Sequence, residues 1–182
     1  MKLDNMQFEY HKISGLLSIK PSIHEDDRGY FRRNYCQREL KKIGIKFDVK
    51  QGNISENPKK FTLRGIHYQT EGYEESKIIT CLCGSLYNVI IDLREHSSSY
   101  LKWVFVNISS KDRSSLYVPA GCANGFMTTS NQTIVHYYMS EYFNSQVYRG
   151  IRYNDPKFQI VWPNEPHIIS NRDANFPDFV SD

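Results

Sequence analysis

The sequence predicts an all-β fold, either an antiparallel sandwich or a barrel, and three observations lead to this prediction. Apolar and polar residues alternate with a period of two through much of the chain, which is typical of strands. The alternating stretches are short and are separated by turn residues. Aromatic residues, which favour strands, make up 14% of the chain, including 13 Tyr and 10 Phe.

The same alternation predicts the elements in chain order. The stretch 62–69 has β character, and Gly84-Ser85 forms a turn between the next two strands. Pro119-Ala120-Gly121 ends a later strand, and Ser130-Asn131-Gln132 separates the last two. The predicted elements are the strands Lys77–Cys83, Leu86–Leu93, Lys102–Ile108, Ser114–Val118, Gly125–Thr129 and Thr133–Tyr142, with short helices at Gln37–Ile43 and after Ser170.

Length and charge restrict the class of protein. The 182 residues are expected to form one domain, residues 1–182, with a core of its own. A net charge of +3, from 23 basic and 20 acidic residues, is too balanced for a dedicated nucleic-acid surface. No apolar run approaches membrane-spanning length, and the charged N-terminus does not have the pattern of a signal peptide. We therefore expect neither nucleic acid nor a membrane as a partner.

The four cysteines indicate a reducing compartment. Cys81 and Cys83 are two residues apart, which places both thiols on one face of a strand and disfavours a disulfide between them. Their spacing also differs from the C-x-x-C of zinc and redox sites. We interpret all four cysteines, with Cys36 and Cys122, as reduced thiols in a cytoplasmic protein.

One stretch, Thr62–Gln69, places an arginine three residues before a histidine. The guanidinium of Arg64 suits a phosphate, and the imidazole of His67 suits proton transfer near neutral pH. In a regular strand these two side chains would point to opposite faces, so Gly65 must mark a bulge or bend if they serve one site. On their own, the two residues fit an ordinary surface arginine and a structural histidine at least as well.

Nine motifs in a fixed order are more informative than any one of them. They are Asp26–Phe31, Gln51–Ser55, Leu63–Gln69 with Lys77, Asp92–Arg94, Tyr117–Phe126, Tyr137 with Tyr142, Asn154–Pro156, Trp162-Pro163 and Ser170–Asp173. Over nearly the whole chain they resemble the nucleotide-sugar 3,5-epimerase family typified by dTDP-4-dehydrorhamnose 3,5-epimerase. The resemblance implies a cupin-like jelly roll, a double-stranded β-helix, with short flanking helices. It also implies a homodimer that exchanges N-terminal strands.

The resemblance implies a cofactor-independent epimerase of surface-polysaccharide sugar biosynthesis. The substrate would be a nucleotide-diphosphate 4-keto-6-deoxy sugar, whose ketone acidifies the C–H bonds at C3 and C5. By matching positions, His67 is the base and Asp173 fixes its tautomer. Lys77 would stabilise the enolate oxygen, and Tyr137 would return a proton on the other face.

Further positions match residues that bind the substrate. Arg28, Gln51, Asn53 and Arg64 would hold the diphosphate and nucleoside, with Arg28 contributed by the partner subunit. Tyr142 matches a pocket tyrosine. Phe31 and Trp162 would either stack on the base or sugar or pack in the core.

Two positions depart from the family pattern. Arg33 stands where the family usually has a Glu that helps to recognise the nucleotide, so a GDP-linked substrate becomes an alternative to a dTDP-linked one. Asn124 stands where His is more common; its amide still donates hydrogen bonds but cannot carry a proton charge. We hypothesise that epimerisation is confined to one centre, C3 or C5. A more speculative hypothesis is a GDP-linked heptose in place of a hexose.

Metal-binding cupins carry a His-x-His pair followed by Glu, whereas this chain has Gln69 two residues after His67. We therefore predict no metal site and no cofactor. Two alternatives remain open: a 4-keto-sugar ketoisomerase of similar fold and a non-catalytic nucleotide-sugar-binding cupin.

Overall fold

Two facing antiparallel sheets form most of the computed structural model, which describes residues 6–180. The first five and last two residues of the predicted domain lie outside the described residues. The strands are β1 (Gln7–Tyr10), β2 (Leu17–Lys20), β3 (Ile23–Asp26), β4 (Gly29–Arg32), β5 (Gln51–Asn57), β6 (Leu63–Gln69), β7 (Lys77–Cys83), β8 (Ser85–Asp92), β9 (Trp103–Ser109), β10 (Ser115–Val118), β11 (Cys122–Thr128), β12 (Thr133–Met139) and β13 (Tyr148–Gly150). The helices are α1 (Gln37–Lys42) and α2 (Asn171–Ala174).

The strand order explains how distant segments meet. One sheet has six strands in the order β1-β2-β10-β7-β12-β5, and the other has five in the order β13-β6-β11-β8-β9. Strands β3 and β4 form a separate two-stranded hairpin. The pairings within these sheets are antiparallel, and the predicted all-β jelly-roll fold with short helices is confirmed.

Most predicted strands are confirmed within a few residues, but the strand predicted at 133–142 ends at Met139. The amide of Ser140 still donates to the carbonyl oxygen of Ser76, and beyond it side chains supply the acceptors. The amide of Phe143 donates to Oε1 of Gln51, and the amide of Asn144 donates to Oε1 of Gln69. These side-chain acceptors replace the β ladder and turn the chain.

The space between the sheets is filled at one end and open at the other. A buried cluster joins the two sheets and includes Ile79 and Val135 from one side and Ile90 and Phe126 from the other. Three of these, Ile79, Phe126 and Val135, also line an internal cavity, so the cavity lies directly against the core. In the described part of the chain, neither helix has the length and apolar character that a membrane span requires.

Candidate active site

A cavity of about 690 Å³ opens between the two sheets. This volume lies within the range of roughly 300–1,000 Å³ that is usual for small-molecule sites. Its walls are formed by β5, β6, β7, β11 and β12, together with Glu75 before β7, Phe143, the start of β13 at Tyr148 and the segment around α2. The structure brings the four residues proposed for catalysis to this one cavity: His67, Lys77, Tyr137 and Asp173.

A bulge at Gly65 allows Arg64 and His67 to share the cavity. Along β6 the pairing with β11 advances three residues, from Arg64 to His67, while β11 advances only two, from Phe126 to Asn124. The extra residue reverses the alternation of side chains. Gly65 adopts a φ of 115°, in the region that favours glycine, as the sequence predicted for an irregular strand.

We expect Gly65→Ala to lower both stability and activity. A Cβ at this position would lie 2.5 Å from Cα of Gly125 and 3.0 Å from the carbonyl oxygen of Asn124, and backbone atoms cannot move aside cheaply. The positive φ adds strain, so a loss of roughly 1–3 kcal/mol in the free energy of unfolding is expected. Thermal or urea unfolding measures this loss.

Gly52→Ala provides the matched control for this prediction. Its added Cβ would come no closer than 3.5 Å to the ring of Tyr138, and its φ is not positive. A strand glycine in open surroundings should tolerate alanine with a change within about 1 kcal/mol. Equal destabilisation by the two substitutions would contradict the bulge argument.

His67 is fixed by Asp173, although the two are far apart in sequence. The Nε2 atom of His67 lies 2.8 Å from Oδ1 of Asp173, and the amide of Gly65 donates to Oδ2 at 3.1 Å. The C-terminal segment reaches β6 because Leu63 N–H donates to Ile168 O, and Ser170 then caps α2 by accepting from the amide of Asp173. With Nε2 held by a carboxylate, Nδ1 is the nitrogen that is free to take a proton.

Burial sets the charge of this pair. It lowers the pKa of His67 below its usual value, and the hydrogen bond to Asp173 only partly opposes this. Burial alone would raise the pKa of Asp173, but the hydrogen bonds from His67 and Gly65 outweigh it and leave that pKa lowered. At neutral pH the arrangement is therefore a neutral imidazole held by a carboxylate.

Tyr137 lines the cavity from the opposite sheet. It lies on β12 of the six-stranded sheet, whereas His67 lies on β6 of the five-stranded sheet. Burial raises the pKa of Tyr137, partly countered by the positive charge of Arg64. The phenol of Tyr137 keeps its proton on one wall, and the imidazole of His67 is neutral on the other. The two groups can therefore act as an acid and a base on opposite sides of a bound ligand.

Lys77 is buried beside a carboxylate that the sequence did not single out. The Nζ atom of Lys77 lies 2.8 Å from Oε1 of Glu75, and the two side chains are only 11% and 3% exposed. A fixed cation in such a water-poor cavity can stabilise negative charge that develops on a bound ligand.

Two arginines, Arg64 and Arg172, line the cavity with guanidinium groups that are exposed to solvent. Nε of Arg64 donates to Oδ1 of Asn57 at 2.7 Å, and the Arg64 side chain is otherwise exposed. The Arg172 guanidinium, 60% exposed, lies 4.8 Å from the ring centre of Tyr148. Exposed guanidinium groups at the border of a cavity suit phosphate oxygens.

Sequence reasoning did not single out several polar or aromatic residues of the lining, among them Glu56, Glu75, Phe143, Tyr148 and Arg172. Tyr148 packs its ring 5.0 Å from that of His67, and burial raises its pKa. Arg172 lies within the motif Ser170–Asp173, directly before Asp173, and was given no role of its own. Tyr148 begins a three-residue strand after a loop, so no periodicity marks it.

The structure changes the expected role of Asn124. Its amide nitrogen donates to Oδ1 of Asn88 and to the carbonyl oxygen of Val89, both at 3.1 Å. The amide hydrogens are thus used within the protein, and the side-chain oxygen remains to accept. The expectation that Asn124 donates to a ligand is corrected on this point.

Gln51 and Asn53 lie on the same face of β5 as Ser55, which lines the cavity. Asn53 is opposite Tyr137 in the strand register, and its Nδ2 lies 3.4 Å from Sδ of Met139, which lines the cavity. Oε1 of Gln51 accepts from the Phe143 amide at 2.5 Å. Both residues lie beside the cavity rather than on its lining.

The remaining predicted residues lie outside the cavity lining. Tyr142 follows the end of β12 and is 58% exposed, while its neighbour Phe143 lines the cavity. The indole of Trp162 donates to the carbonyl oxygen of Tyr153 at 2.8 Å and packs against a buried cluster, which favours the core-packing interpretation. Three residues belong to the β3–β4 hairpin or follow it: Arg28, Phe31 and Arg33.

Within residues 6–180, no three His, Cys, Asp or Glu side chains converge as they would around a metal ion. The expectation of a site without metal or cofactor stays a prediction. His67 itself is engaged with Asp173 through Nε2.

Comparisons with known proteins extend along nearly the whole chain. A family model described as dTDP-4-dehydrorhamnose 3,5-epimerase matches residues 10–181. A dTDP-4-dehydrorhamnose 3,5-epimerase of Shigella flexneri is 32% identical over 170 residues, 93% of each chain. The crystal structure of the Bacillus anthracis dTDP-4-dehydrorhamnose 3,5-epimerase with TDP and PPi bound is 31% identical, with a TM-score of 0.91 over 96% of this chain and 99% of that one. ChmJ, a 3'-monoepimerase from Streptomyces bikiniensis in complex with dTDP-quinovose, is 26% identical, with a TM-score of 0.85 over 92% of this chain and 85% of that one.

Proposed function

The chain belongs to the dTDP-4-dehydrorhamnose 3,5-epimerase family, a family of isomerase-class enzymes, and from this premise we propose that it epimerises C3, C5 or both in a nucleotide-diphosphate 4-keto-6-deoxy sugar. The observation that carries the proposal is the pair of opposed groups, the Asp173-bound imidazole of His67 and the phenol of Tyr137, on two walls of one cavity. We propose that no cofactor takes part. The enzyme would act in the cytoplasm, in the synthesis of sugars for surface polysaccharides.

The proposed reaction has two proton transfers. Nδ1 of His67 removes the hydrogen from the carbon beside the ketone, and the electron pair of that C–H bond moves into an enolate on the C4 oxygen. Lys77 stabilises the enolate charge. Tyr137 then gives its proton to the other face of the carbon, which inverts it and re-forms the ketone. Proton exchange with water restores His67 to its neutral form and Tyr137 to its protonated form.

Solvent hydrogen exchange tests the proposed function. The protein is incubated in D₂O with dTDP-4-keto-6-deoxyglucose and, separately, with its GDP-linked counterpart, and mass spectrometry counts the deuterium. We expect deuterium at C3 or C5 together with inverted product. A ketoisomerase would instead move the ketone to C3, and a non-catalytic binder would leave both carbons unlabelled. Incorporation with inversion at both carbons would exclude the single-centre hypothesis.

The titration of His67 gives a pH prediction. Only the neutral imidazole acts as base, so kcat/KM should fall as the pH drops through the His67 pKa, which lies below the usual 6.5. Asp173→Asn removes the interaction that raises this pKa, while burial and the charges of Lys77 and Arg172 still lower it. The acid limb of the pH–rate profile should therefore move to lower pH. The plateau should fall about 10²- to 10⁴-fold, since the imidazole loses its orienting carboxylate. A limb that stays in place or moves to higher pH would contradict this account.

For the substrate we propose a dTDP-linked hexose, with a GDP-linked hexose and a GDP-linked heptose as the two alternatives. Relatives of this chain bind TDP or dTDP-linked sugars, which supports a dTDP-linked hexose. Arg33, in place of the family's usual Glu, supports a different nucleotide such as GDP. A comparison of turnover with dTDP-hexose, GDP-hexose and GDP-heptose 4-keto substrates decides among them, and a clear preference for dTDP-hexose would eliminate the heptose hypothesis.

We further propose that the enzyme is a homodimer in which the β3–β4 hairpin completes the partner's site. The hairpin carries an Arg28 side chain that is 89% exposed and a Phe31 that is 54% exposed, and neither lines the cavity of its own chain. Among the described strands, β5 pairs only with β12, so its other edge is available for pairing. The exchange of N-terminal strands implied by the family would use such an edge.

Mixed protomers test this dimer. Arg28→Ala and His67→Asn chains are each expected to be nearly inactive alone. When they are unfolded and refolded together, mixed dimers contain one site with both defects and one intact site, so about one quarter of the wild-type activity should return. Mixing without refolding provides the control. No recovery after refolding would mean that Arg28 does not act across an interface.

A further inference from the structure

Glu75 is a buried carboxylate, and one of its two oxygens has no hydrogen-bond partner among the described residues. The residue is only 5% exposed and lines the cavity, two residues before Lys77. Its Oε1 is bonded to the Lys77 ammonium at 2.8 Å. Its Oε2 is buried and has no hydrogen-bond partner among the described residues.

A buried carboxylate oxygen without a donor is costly, because burial removes the water that would otherwise bond to it. Most buried polar side-chain atoms of folded proteins have a partner for this reason, and an unpaired one calls for an explanation. Glu75 lines the cavity, so a molecule bound there is the available source of a donor. The donor that Oε2 lacks must therefore come from what enters the cavity. A carboxylate accepts such a bond from a hydroxyl group with charge assistance.

The position of Lys77 identifies which hydroxyl this is. The step rests on the proposed function, in which Lys77 faces the C4 oxygen of the sugar. Both oxygens belong to one carboxylate and Oε1 holds Lys77, so a C4 oxygen bound by Lys77 would bring the substituents of C3 and C5 near Oε2. Of the two neighbours of C4, C5 carries the ring oxygen and a carbon substituent, whereas C3 carries a hydroxyl.

We infer that Oε2 of Glu75 accepts a hydrogen bond from the C3 hydroxyl of the substrate, which makes Glu75 a specificity-determining residue. One carboxylate then holds Lys77 by one oxygen and the substrate by the other. The enzyme would select 4-keto sugars that retain the C3 hydroxyl beside the ketone. A site built to bond a hydroxyl strongly disfavours an analogue that lacks it.

A binding cycle tests the inference. Calorimetry measures the dissociation constants of nucleotide-linked 4-keto-6-deoxyglucose and of its 3-deoxy analogue, in dTDP and GDP forms, on His67→Asn protein so that no turnover occurs. The same two dissociation constants are measured on double variants that combine His67→Asn with Glu75→Ala or with Glu75→Gln. The control combines His67→Asn with Glu74→Gln, at the exposed neighbouring residue. General structural damage would weaken the binding of both ligands alike, so it does not change the ratio of their two dissociation constants on one protein.

We expect the 3-deoxy analogue to bind about 10- to 100-fold more weakly when Glu75 is present, as for a lost charge-assisted hydrogen bond. The ratio should fall to about 1 in Glu75→Ala, take an intermediate value in Glu75→Gln and stay unchanged in Glu74→Gln. A ratio near 1 with Glu75 present, or one that both Glu75 substitutions leave unchanged, would overturn the inference.

The exchange experiment with wild-type protein separates the two proposals. Deuterium incorporation with a ratio near 1 leaves the epimerase proposal standing and overturns the role of Glu75. A Glu75-dependent ratio without any incorporation supports the recognition role and overturns the catalytic proposal. Failure of all four ligands to bind would overturn both.

Discussion

His67→Asn is expected to lower kcat/KM about 10⁴-fold or more, at the upper end of the usual effect of losing a general base. The reason lies in the cavity lining, where His67 is the histidine present; the other five lie outside it. Three carboxylates line the cavity: Asp173 is bonded to His67, Glu75 is bonded to Lys77, and Glu56 lies on β5 of the opposite sheet. Among the described lining residues, no other group on the wall of His67 is suited to take the proton from a sugar carbon.

Binding should survive this substitution, because His67 acts on the sugar in the proposed mechanism, while the exposed guanidinium groups of Arg64 and Arg172 are the groups suited to the diphosphate. Calorimetry with the nucleotide diphosphate should therefore give a dissociation constant within about threefold of wild type. His96→Asn, at an exposed histidine outside the cavity, serves as the control and should keep full activity. If His67→Asn kept more than a hundredth of the rate, another group would have to be the base.

Burial shifts the pKa values of both groups proposed for catalysis, His67 and Tyr137, in the directions that their roles require. Burial disfavours the charged form of each group, so it lowers the pKa of the His67 imidazole and raises the pKa of the Tyr137 phenol. Burial on the walls of one cavity therefore yields a neutral base and a protonated acid at the same pH. Asp173 partly restores the basicity of His67, which keeps the imidazole strong enough to attack an acidified C–H bond.

The sequence was informative where local rules decide the structure. Period-two alternation located β7 to β12 within a few residues, since each strand buries side chains between sheets. The conflict between that alternation and a shared role for Arg64 and His67 predicted an irregularity at Gly65, and the bulge confirms it. Ser170 similarly marked the start of α2, where its side chain caps the helix.

Contacts between distant segments could not be read from the sequence. Tyr148 packs on His67 only because β13 pairs with β6, and a three-residue strand carries no usable periodicity. Glu75 lies in an irregular stretch before β7, and its burial depends on the pairing with Lys77. Asn124 looked like a donor because its residue type allows it, whereas the fold directs its amide to Asn88 and Val89.

Tyr137→Phe is expected to separate hydrogen exchange from inversion. The substitution removes the hydroxyl and keeps the ring, so the packing of Tyr137 against the core should be preserved. Inversion should fall about 10²- to 10⁴-fold, because the acid on that wall is lost. His67 can still remove the proton and return one to the same face, so deuterium should enter the substrate without a change of configuration.

Two measurements on one sample check this outcome: mass spectrometry for deuterium and proton NMR for the configuration at C3 and C5. A parallel reaction with His67→Asn should show neither exchange nor inversion, because the enolate never forms. The contrast between the two variants depends only on the positions of the groups on opposite sheets. Tyr148, the other phenol on the cavity lining, lies on β13 of the same sheet as His67 and packs on its ring, so a Tyr137→Phe enzyme that still inverts its substrate would contradict the assignment of Tyr137 as the acid. Exchange and inversion lost in equal measure would instead mean that Tyr137 is needed to form the enolate and does not act solely as the acid.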